Sequence, residues 1–323
     1  MDLSGTHRPL AGAAGLLLLV PFGFAVAATE AVPAAEPGTS AVAAQVVDTV
    51  AAQVTDTVAA GRRRQLPLGG RDLFPRYRLV AYYGTAGTGS LGVLGEAPPR
   101  QTTRRLREVA KRYRAGRPQV QITYELISTV ADAGPGADGD YSHFIDRSAV
   151  RTYVRSARRN NAYLVLDLQP GRSTFLSQAR KLRWALKKPW VGLALDPEWR
   201  MGPGQVPGQQ IGSVRAAEVN RVSRWLARLT RANDLPQKLL MLHQFRTDMV
   251  QNPQRIAARP GLAMVQHIDG FGTRSQKLQT YRTVERSEQF TMGFKLFYDE
   301  DTDLFKPRRV LKIRPRIKYV SYQ

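Results

Sequence analysis

Apolar residues beyond Arg71 fall into eight runs of strand length. The runs are separated by turns and, in most cases, by stretches of helical periodicity. They cover residues 79–83, 120–127, 163–168, 191–195, 239–242, 262–265, 294–298 and 318–322. Because such nearly continuous apolar strands are typical of sheets covered on both faces, the pattern predicts parallel strands that alternate with helices.

One helix between the fourth and fifth runs is indicated by four apolar residues. Val219, Val222, Leu226 and Leu229 recur at spacings of three, four and three, which places them on one face of a helix. Ser213 precedes this stretch, and a serine there is a suitable N-cap. The spacing therefore predicts a crossover helix capped by Ser213.

The eight runs predict an α/β fold, a single-domain (β/α)₈ barrel of the TIM type over residues 71–323. Such a barrel needs roughly 250 residues. A doubly wound open sheet is the main alternative, but it concentrates its site at one switch point. Polar residues follow nearly all eight runs here, and this distribution favours the barrel, whose C-terminal strand ends form one mouth.

The first 70 residues are predicted to lie outside the folded domain. His7 and Arg8 precede an apolar stretch, which ends in small residues, so residues 1–28 are interpreted as a signal peptide; an uncleaved anchor is the alternative. Residues 29–70 are rich in Ala, Val, Thr and Pro and are interpreted as a linker. The chain has no cysteine. We therefore expect a secreted, extracellular or wall-associated protein without disulfides, lipid anchor or a transmembrane span in the mature chain.

The chain is strongly basic, with 48 Lys and Arg against 26 Asp and Glu and a formal net charge of +22. This charge favours contact with an anionic surface, and the export signal argues against nucleic acid. The predicted partners are a polysaccharide or cell-envelope glycan and an anionic envelope surface, with no nucleic acid.

Acidic residues nevertheless dominate the predicted mouth. Carboxylates repel anions, so this composition favours a neutral, polyhydroxylated or cationic ligand. The polar residues at the strand ends are Tyr82, Tyr83, Glu125, Asp167, Gln169, Asp196, Glu198, His243, Gln244, Gln266, His267, Asp269, Tyr298, Asp299, Glu300 and Asp301.

Asp196 and Glu198 are the predicted catalytic pair. On a strand their side chains would point to the same side, about 6.6 Å apart at roughly 3.3 Å per residue. Such a pair can keep one carboxyl group protonated as a general acid. Trp199 offers a flat face for a sugar ring. The predicted substrate-binding residues are Tyr83, Glu125, Asp167, Trp199, His243, Gln244, His267, Asp269, Tyr298 and Asp299.

The segment 191–198 resembles the strand-four signature of the chitinase-like, substrate-assisted glycoside hydrolases, Asp-Gly-x-Asp-x-Asp-x-Glu. Gly192, Asp196 and Glu198 match it, while Val191 and Ala194 replace its first two acids. The resemblance implies that Glu198 protonates the glycosidic oxygen and that Asp196 orients the substrate. A two-carboxylate mechanism with Glu125, Asp269 or Asp299 as partner stays open.

From about Arg78 onward the chain also resembles a group of secreted, largely uncharacterised actinobacterial proteins. The resemblance rests on two segments, residues 195–204 (LDPEWRMGPG) and 294–301 (FKLFYDED). It implies no particular activity.

Three other kinds of site are suggested by residues of the chain: a metal site, a nucleotide site and a calcium site. His243, His267, Asp196 and Asp269 could surround a metal, but the His-x-His pairing of barrel hydrolases is absent, so no metal is predicted. A glycine pattern at 87–92 lacks the helix that should follow it, so no nucleotide or other cofactor is expected. The acidic run at 299–303 is interpreted as a capping loop rather than a calcium site.

The sequence therefore predicts a glycoside hydrolase-like protein that acts on a polysaccharide by carboxylate acid/base catalysis. A non-catalytic carbohydrate-binding or wall-binding barrel is the alternative. A further alternative is structural, with Asp196 and Glu198 in a buried salt-bridge network with Arg172 or Arg200.

Overall fold

The computed structural model describes residues 64–116 and 118–323, together with Val47 and Ala51. The signal peptide predicted at 1–28 and most of the predicted linker lie outside the described residues. Eight parallel strands form the centre of the fold, and we number them in chain order. They are β1 (Tyr77–Gly84), β2 (Gln119–Ala131), β3 (Tyr163–Leu168), β4 (Val191–Leu195), β5 (Lys238–Gln244), β6 (Leu262–Ile268), β7 (Thr291–Leu296) and β8 (Ile317–Tyr322).

The strands close into a barrel because β1 pairs on both of its edges. Its Tyr83 is in register with Glu125 of β2, and its Tyr82 is in register with Tyr322 of β8. Each remaining strand pairs in parallel with its sequence neighbours. The predicted (β/α)₈ barrel is therefore confirmed, and the open-sheet alternative is wrong because an open sheet leaves two edges unpaired.

Helices cover the outside of the barrel unevenly. Between β5 and β6 the described chain forms no α-helix, only the short 3₁₀ turns Thr247–Met249 and Pro253–Arg255 and the two-residue strand Val250–Gln251. The α-helices are α1 (Pro99–Lys111), α2 (Arg147–Asn160), α3 (Phe175–Lys181), α4 (Arg183–Leu186), α5 (Ala216–Ala232), α6 (Arg274–Val284) and α7 (Pro307–Val310). Among the described residues, no helix is both long and apolar enough to cross a bilayer.

Helix α5 confirms the predicted apolar stripe, since Val219, Val222, Leu226 and Leu229 are all buried. Its predicted cap is wrong. The N-cap residue is Arg215, which makes no capping hydrogen bond through its side chain. The Ser213 hydroxyl instead accepts a hydrogen bond from Gln251 Nε2 at 3.1 Å, because Val214–Arg215 forms a short parallel pair with Val250–Gln251 ahead of the helix.

The apolar core has two parts, which follow from the alternation of side chains along each strand. Outward residues such as Val80 and Leu164 pack against the helices. Inward residues such as Leu79 and Met241 fill the lower half of the barrel, and Leu66 from the segment ahead of β1 joins them. Because this inner cluster closes the lower half, the polar residues collect at the mouth.

Candidate functional site

A ring of buried polar side chains occupies the mouth; seven strands supply one each, and Asp196 follows directly after β4. Most lie two residues beyond an inward apolar residue, as Asp167 follows Val165 and His243 follows Met241, so they face the interior. All are at most 6% exposed, which removes them almost entirely from solvent. The ring comprises Tyr83, Glu125, Asp167, Asp196, His243, His267, Lys295 and Ser321.

His243 lies between carboxylates contributed by three other strands or strand ends. Its Nδ1 donates a hydrogen bond to Asp269 Oδ2 at 2.8 Å. Its Nε2 lies 2.9 Å from Glu125 Oε1 and 3.8 Å from Asp167 Oδ1, but neither contact has hydrogen-bond alignment. The other oxygen of Glu125 accepts a hydrogen bond from the Tyr319 hydroxyl at 2.9 Å. The imidazole orientation is thus fixed by Asp269.

Asp167 is held by β1 and is faced by a cation from β7. The Tyr83 hydroxyl donates to Asp167 Oδ2 at 3.1 Å, and Gln169 Nε2 donates to the Tyr83 hydroxyl at 3.4 Å. Lys295 Nζ lies 3.4 Å from the centre of the Tyr83 ring, a cation–π contact. Tyr83 therefore contacts Asp167 through its hydroxyl group and Lys295 through the face of its aromatic ring.

His267 fits against β7 because residue 293 is a glycine. A Cβ atom on Gly293 would lie 2.4 Å from His267 Nδ1, so any larger residue would displace the imidazole. His267 Nε2 forms a 2.7 Å hydrogen bond with the Ser321 hydroxyl. Burial, followed by the charge of His243, lowers the pKa of His267 well below its ordinary value, so this ring is neutral.

Asp196 and Glu198 do not alternate along a strand, so the predicted geometry of this pair is wrong. Strand β4 ends at Leu195, and Pro197–Trp199 forms a 3₁₀ turn. Pro197 has no N–H for a strand ladder, and the Asp196 carboxylate caps the turn by accepting a 3.3 Å hydrogen bond from the Glu198 amide. Asp196 thus positions Glu198, which lies half-buried at the rim.

Both carboxyl groups of this pair hold their protons more strongly than usual. Burial, followed by the negative charge of Asp269, raises the pKa of Glu198 to about 7. Burial also raises the pKa of Asp196 well above its ordinary value, and the charge of Asp167 adds to this effect. Glu198 is therefore protonated in a substantial fraction of molecules at neutral pH.

Asp167, His243 and Asp269, the other titratable groups near Glu198, have pKa values that are shifted in different directions. Burial raises the pKa of Asp167 to about 6. Burial alone would lower the pKa of His243, but its hydrogen bond to Asp269 and the neighbouring carboxylates raise it well above the ordinary value. Burial would raise the pKa of Asp269, but hydrogen bonding to His243 and the charge of His243 lower it. Asp269 and His243 therefore form an ion pair.

The structure brings together most of the predicted site residues, but several lie apart. Gln244 points away from the barrel interior, where its amide bonds to Arg246 O at 3.0 Å and to Gln266 at 2.7 Å. Tyr298 stacks on Tyr322 outside the ring, with ring centres 5.2 Å apart. Asp299 is exposed, and Trp199 is half-buried beside Glu198 in the chain.

The sequence reasoning missed several residues of the mouth, among them Ser321, Lys295 and Phe271. Lys295 is a single charged residue between Phe294 and Leu296, and strand alternation places it on the opposite side from both, which was a usable signal. Phe271 follows Asp269 by two residues, is 66% exposed, and touches Phe297 edge to face. No pattern in the sequence marked it as exposed.

The structural alternative for Asp196 and Glu198 is not what the contacts show. Arg200 pairs with Glu218 at 3.3 Å, and Arg172 donates to Gln205 O at 2.9 Å. Within the described part of the chain, no hydrogen bond or ion pair engages the Glu198 carboxyl group. This carboxyl group is thus available to a ligand.

Two carboxylates of the acidic loop after β7 are paired with cationic side chains. Asp301 is buried and pairs with Lys277 at 2.9 Å, and Asp303 pairs with Arg274 at 2.6 Å. The loop therefore caps the strand end, as its composition indicated. Inside the mouth, by contrast, Glu125, His243 and His267 present possible metal-ligating atoms within 4.8 Å of one another.

Comparison with known proteins gives only distant similarities. No protein-family model matches the chain, and no curated protein matches it in sequence. The chain is similar in structure to HPPK-DHPS in complex with substrates, with 8% identity and a TM-score of 0.37 over 77% of this chain and 48% of that one. It thus spans about half the length of that protein.

Two other solved structures are matched over most of their length. A D-allulose 3-epimerase from Methylomonas sp. is 14% identical, with a TM-score of 0.37 over 77% of this chain and 85% of that one. A Bacteroides thetaiotaomicron protein described as an alpha-L-fucosidase is 9% identical, with a TM-score of 0.39 over 79% of this chain and 89% of that one. The fold assignment rests on the strand pairing described above.

Proposed function

We propose that the protein is a secreted glycoside hydrolase that cleaves a polysaccharide, with Glu198 as its general acid. The observation that carries this proposal is a half-buried carboxyl group at the mouth of a barrel, unpaired within the described chain and beside an ionised carboxylate, Asp269. A protonated and an ionised carboxyl group in one site are what glycosidic bond cleavage requires.

The proposed reaction uses the two groups in different protonation states. Glu198 donates its proton to the glycosidic oxygen as the bond to the anomeric carbon breaks, so the leaving sugar departs as a neutral alcohol. Asp269 stays ionised because His243 donates a hydrogen bond to it, and its negative charge stabilises the oxocarbenium-like centre. Water then adds its hydroxyl group to that carbon and gives its remaining proton to the Glu198 carboxylate, which restores the acid.

The surroundings of the mouth favour a neutral glycan. Five carboxyl groups lie there against two cationic side chains, His243 and Lys295, so an anionic sugar would be repelled. The exposed ring of Phe271 at the rim offers an apolar face on which a sugar ring can stack. The positive charge of the chain as a whole is proposed to attract the anionic envelope in which such a glycan lies.

The pH dependence of hydrolysis tests the assignment of Glu198. Because the general acid must be protonated, kcat/KM is expected to fall as pH rises through about 7, the pKa of Glu198. The measurement is kcat/KM between pH 4 and 9 on a glycan that the wild-type protein cleaves. An unperturbed glutamic acid, with a pKa of about 4.3, would place this decline near pH 4. A decline there, with no change between pH 6 and 8, would show that another group is the acid.

A further inference from the structure

Two buried carboxylates at the mouth each have one oxygen held by a tyrosine and one oxygen that faces His243 Nε2 but accepts no hydrogen bond. Tyr319 donates to Glu125 Oε2 at 2.9 Å, and Tyr83 donates to Asp167 Oδ2 at 3.1 Å. Glu125 Oε1 and Asp167 Oδ1 are buried and accept no hydrogen bond. Burying a carboxylate oxygen without a hydrogen bond is costly, so a ligand that is better aligned with these two atoms than His243 is expected.

His243 shows the same arrangement and points to the same place. Its Nδ1 is held by Asp269, while its Nε2 is buried and faces Glu125 Oε1 without hydrogen-bond alignment, so a bound cation would take the place of the Nε2 proton. Nε2 lies 2.9 Å from Glu125 Oε1 and 3.8 Å from Asp167 Oδ1. Three unsatisfied atoms, from β2, β3 and β5, therefore surround one point, and each side chain is oriented by a neighbour behind it.

We propose that Glu125 Oε1, Asp167 Oδ1 and His243 Nε2 bind one divalent transition-metal cation such as Zn²⁺ or Mn²⁺. Atoms that coordinate one cation at about 2.0–2.2 Å lie roughly 3–4 Å from one another, and His243 Nε2 lies 2.9 Å and 3.8 Å from the two carboxylate oxygens. Metal-ligating histidines donate their other N–H to a carboxylate, the role that Asp269 fills. A nitrogen of His267 lies within 4.8 Å of the ligating atoms of Glu125 and His243, so this ring borders the proposed site.

The chemistry of the ligands selects the kind of cation. One imidazole with two carboxylates suits Zn²⁺ or Mn²⁺, whereas Ca²⁺ and Mg²⁺ prefer sites built from oxygen alone. The excess of carboxylates over cationic groups at the mouth favours a divalent charge. The side open to the mouth is free for a substrate oxygen, which the cation would polarise. This inference does not depend on the proposed glycosidase activity.

An exposed histidine and carboxylate elsewhere on the barrel provide a matched control. His143 Nδ1 lies 2.7 Å from Asp132 Oδ2, and both side chains are accessible to solvent. This pair reproduces the contact between His243 and Asp269, but it lies away from Glu125 and Asp167. A variant at His143 therefore removes one imidazole from the protein but leaves the proposed cation site intact.

The test is calorimetric titration of the chelator-treated full chain with ZnSO₄ and with MnCl₂, with CaCl₂ as comparison. We expect one Zn²⁺ or Mn²⁺ per chain, and affinities at least 100-fold weaker in Glu125→Gln and His243→Gln. Tyr319→Phe keeps all ligands but loses the orienting hydroxyl, so it should weaken binding about 10–100-fold. His143→Gln should bind as the wild type does.

Two results would overturn the proposal. One is a wild-type protein that binds neither Zn²⁺ nor Mn²⁺ and whose melting temperature neither cation raises. Protonated His243 would then be the group that neutralises Glu125 and Asp167. The other is binding that His143→Gln weakens as much as His243→Gln does. If Glu125→Gln or His243→Gln fails to fold, two other measurements test the proposal. Zn²⁺ should raise the melting temperature of the wild type, and Tyr319→Phe should bind Zn²⁺ more weakly than the wild type does. Absence of both effects would contradict the proposal. Loss of glycan hydrolysis is not used as a readout.

Discussion

Replacing Glu198 with glutamine is expected to reduce kcat for glycan hydrolysis by about 10²–10⁴-fold, the usual contribution of a general acid. Glutamine has nearly the same shape but cannot donate a proton to the glycosidic oxygen. Because the Glu198 carboxyl group makes no hydrogen bond or ion pair within the described chain, the fold should tolerate the change. KM should change little, since the sugar contacts remain. The measurement is steady-state release of reducing sugar.

The matched control for this substitution is Glu300→Gln, which removes one carboxylate from an exposed position in the loop after β7. Its activity should equal that of the wild type. Equal losses in both variants would indicate a general effect of charge. Full activity in Glu198→Gln would show that Glu198 is not the general acid.

The buried pair of Lys277 and Asp301 should contribute the largest single effect on stability. Lys277 Nζ lies 2.9 Å from Asp301 Oδ1 and donates to Gly270 O at 2.7 Å and Lys295 O at 3.0 Å. Both side chains are fully buried. Lys277→Met would leave the Asp301 charge unpaired inside the protein, and such a loss typically costs about 3–5 kcal/mol. The measurement is the free energy of unfolding from urea denaturation.

Two further variants separate this ion pair from other effects. Lys306→Met removes an exposed lysine that pairs with no carboxylate within the described chain, and it should change stability by at most about 0.5 kcal/mol. The double variant Lys277→Met/Asp301→Asn removes both charges and should recover part of the loss. Equal stability of Lys277→Met and Lys306→Met would rule out the pair as a structural link between α6 and the loop after β7.

The fold was predictable because the barrel imposes a strong pattern on the sequence. Strands β3 and β4 coincide with the predicted runs 163–168 and 191–195. Strand β2 runs four residues beyond its predicted end, to Ala131, where it pairs with the antiparallel strand Ser142–Phe144. That extension depends on a partner distant in sequence, so the local pattern did not indicate it.

The site was predictable in composition but only partly in geometry. Placing polar residues at strand ends correctly brought together Glu125, Asp167, His243 and Asp269. Gln244 was also predicted to bind substrate. It follows His243 on the same strand, so its side chain points to the opposite face, away from the barrel interior. The contacts that hold the ring, such as the one between Tyr319 and Glu125, join residues 194 positions apart in the sequence, and no local spacing reveals them.

The most direct test of the proposed glycosidase is release of reducing sugar by the purified wild-type protein from chitin, bacterial wall glycans, and α- and β-glucans. We predict release from at least one neutral glycan, with release by Glu198→Gln on that glycan reduced by at least about 100-fold. Binding of a glycan by the wild-type protein without any release across the panel would contradict catalysis and would support a non-catalytic carbohydrate-binding barrel.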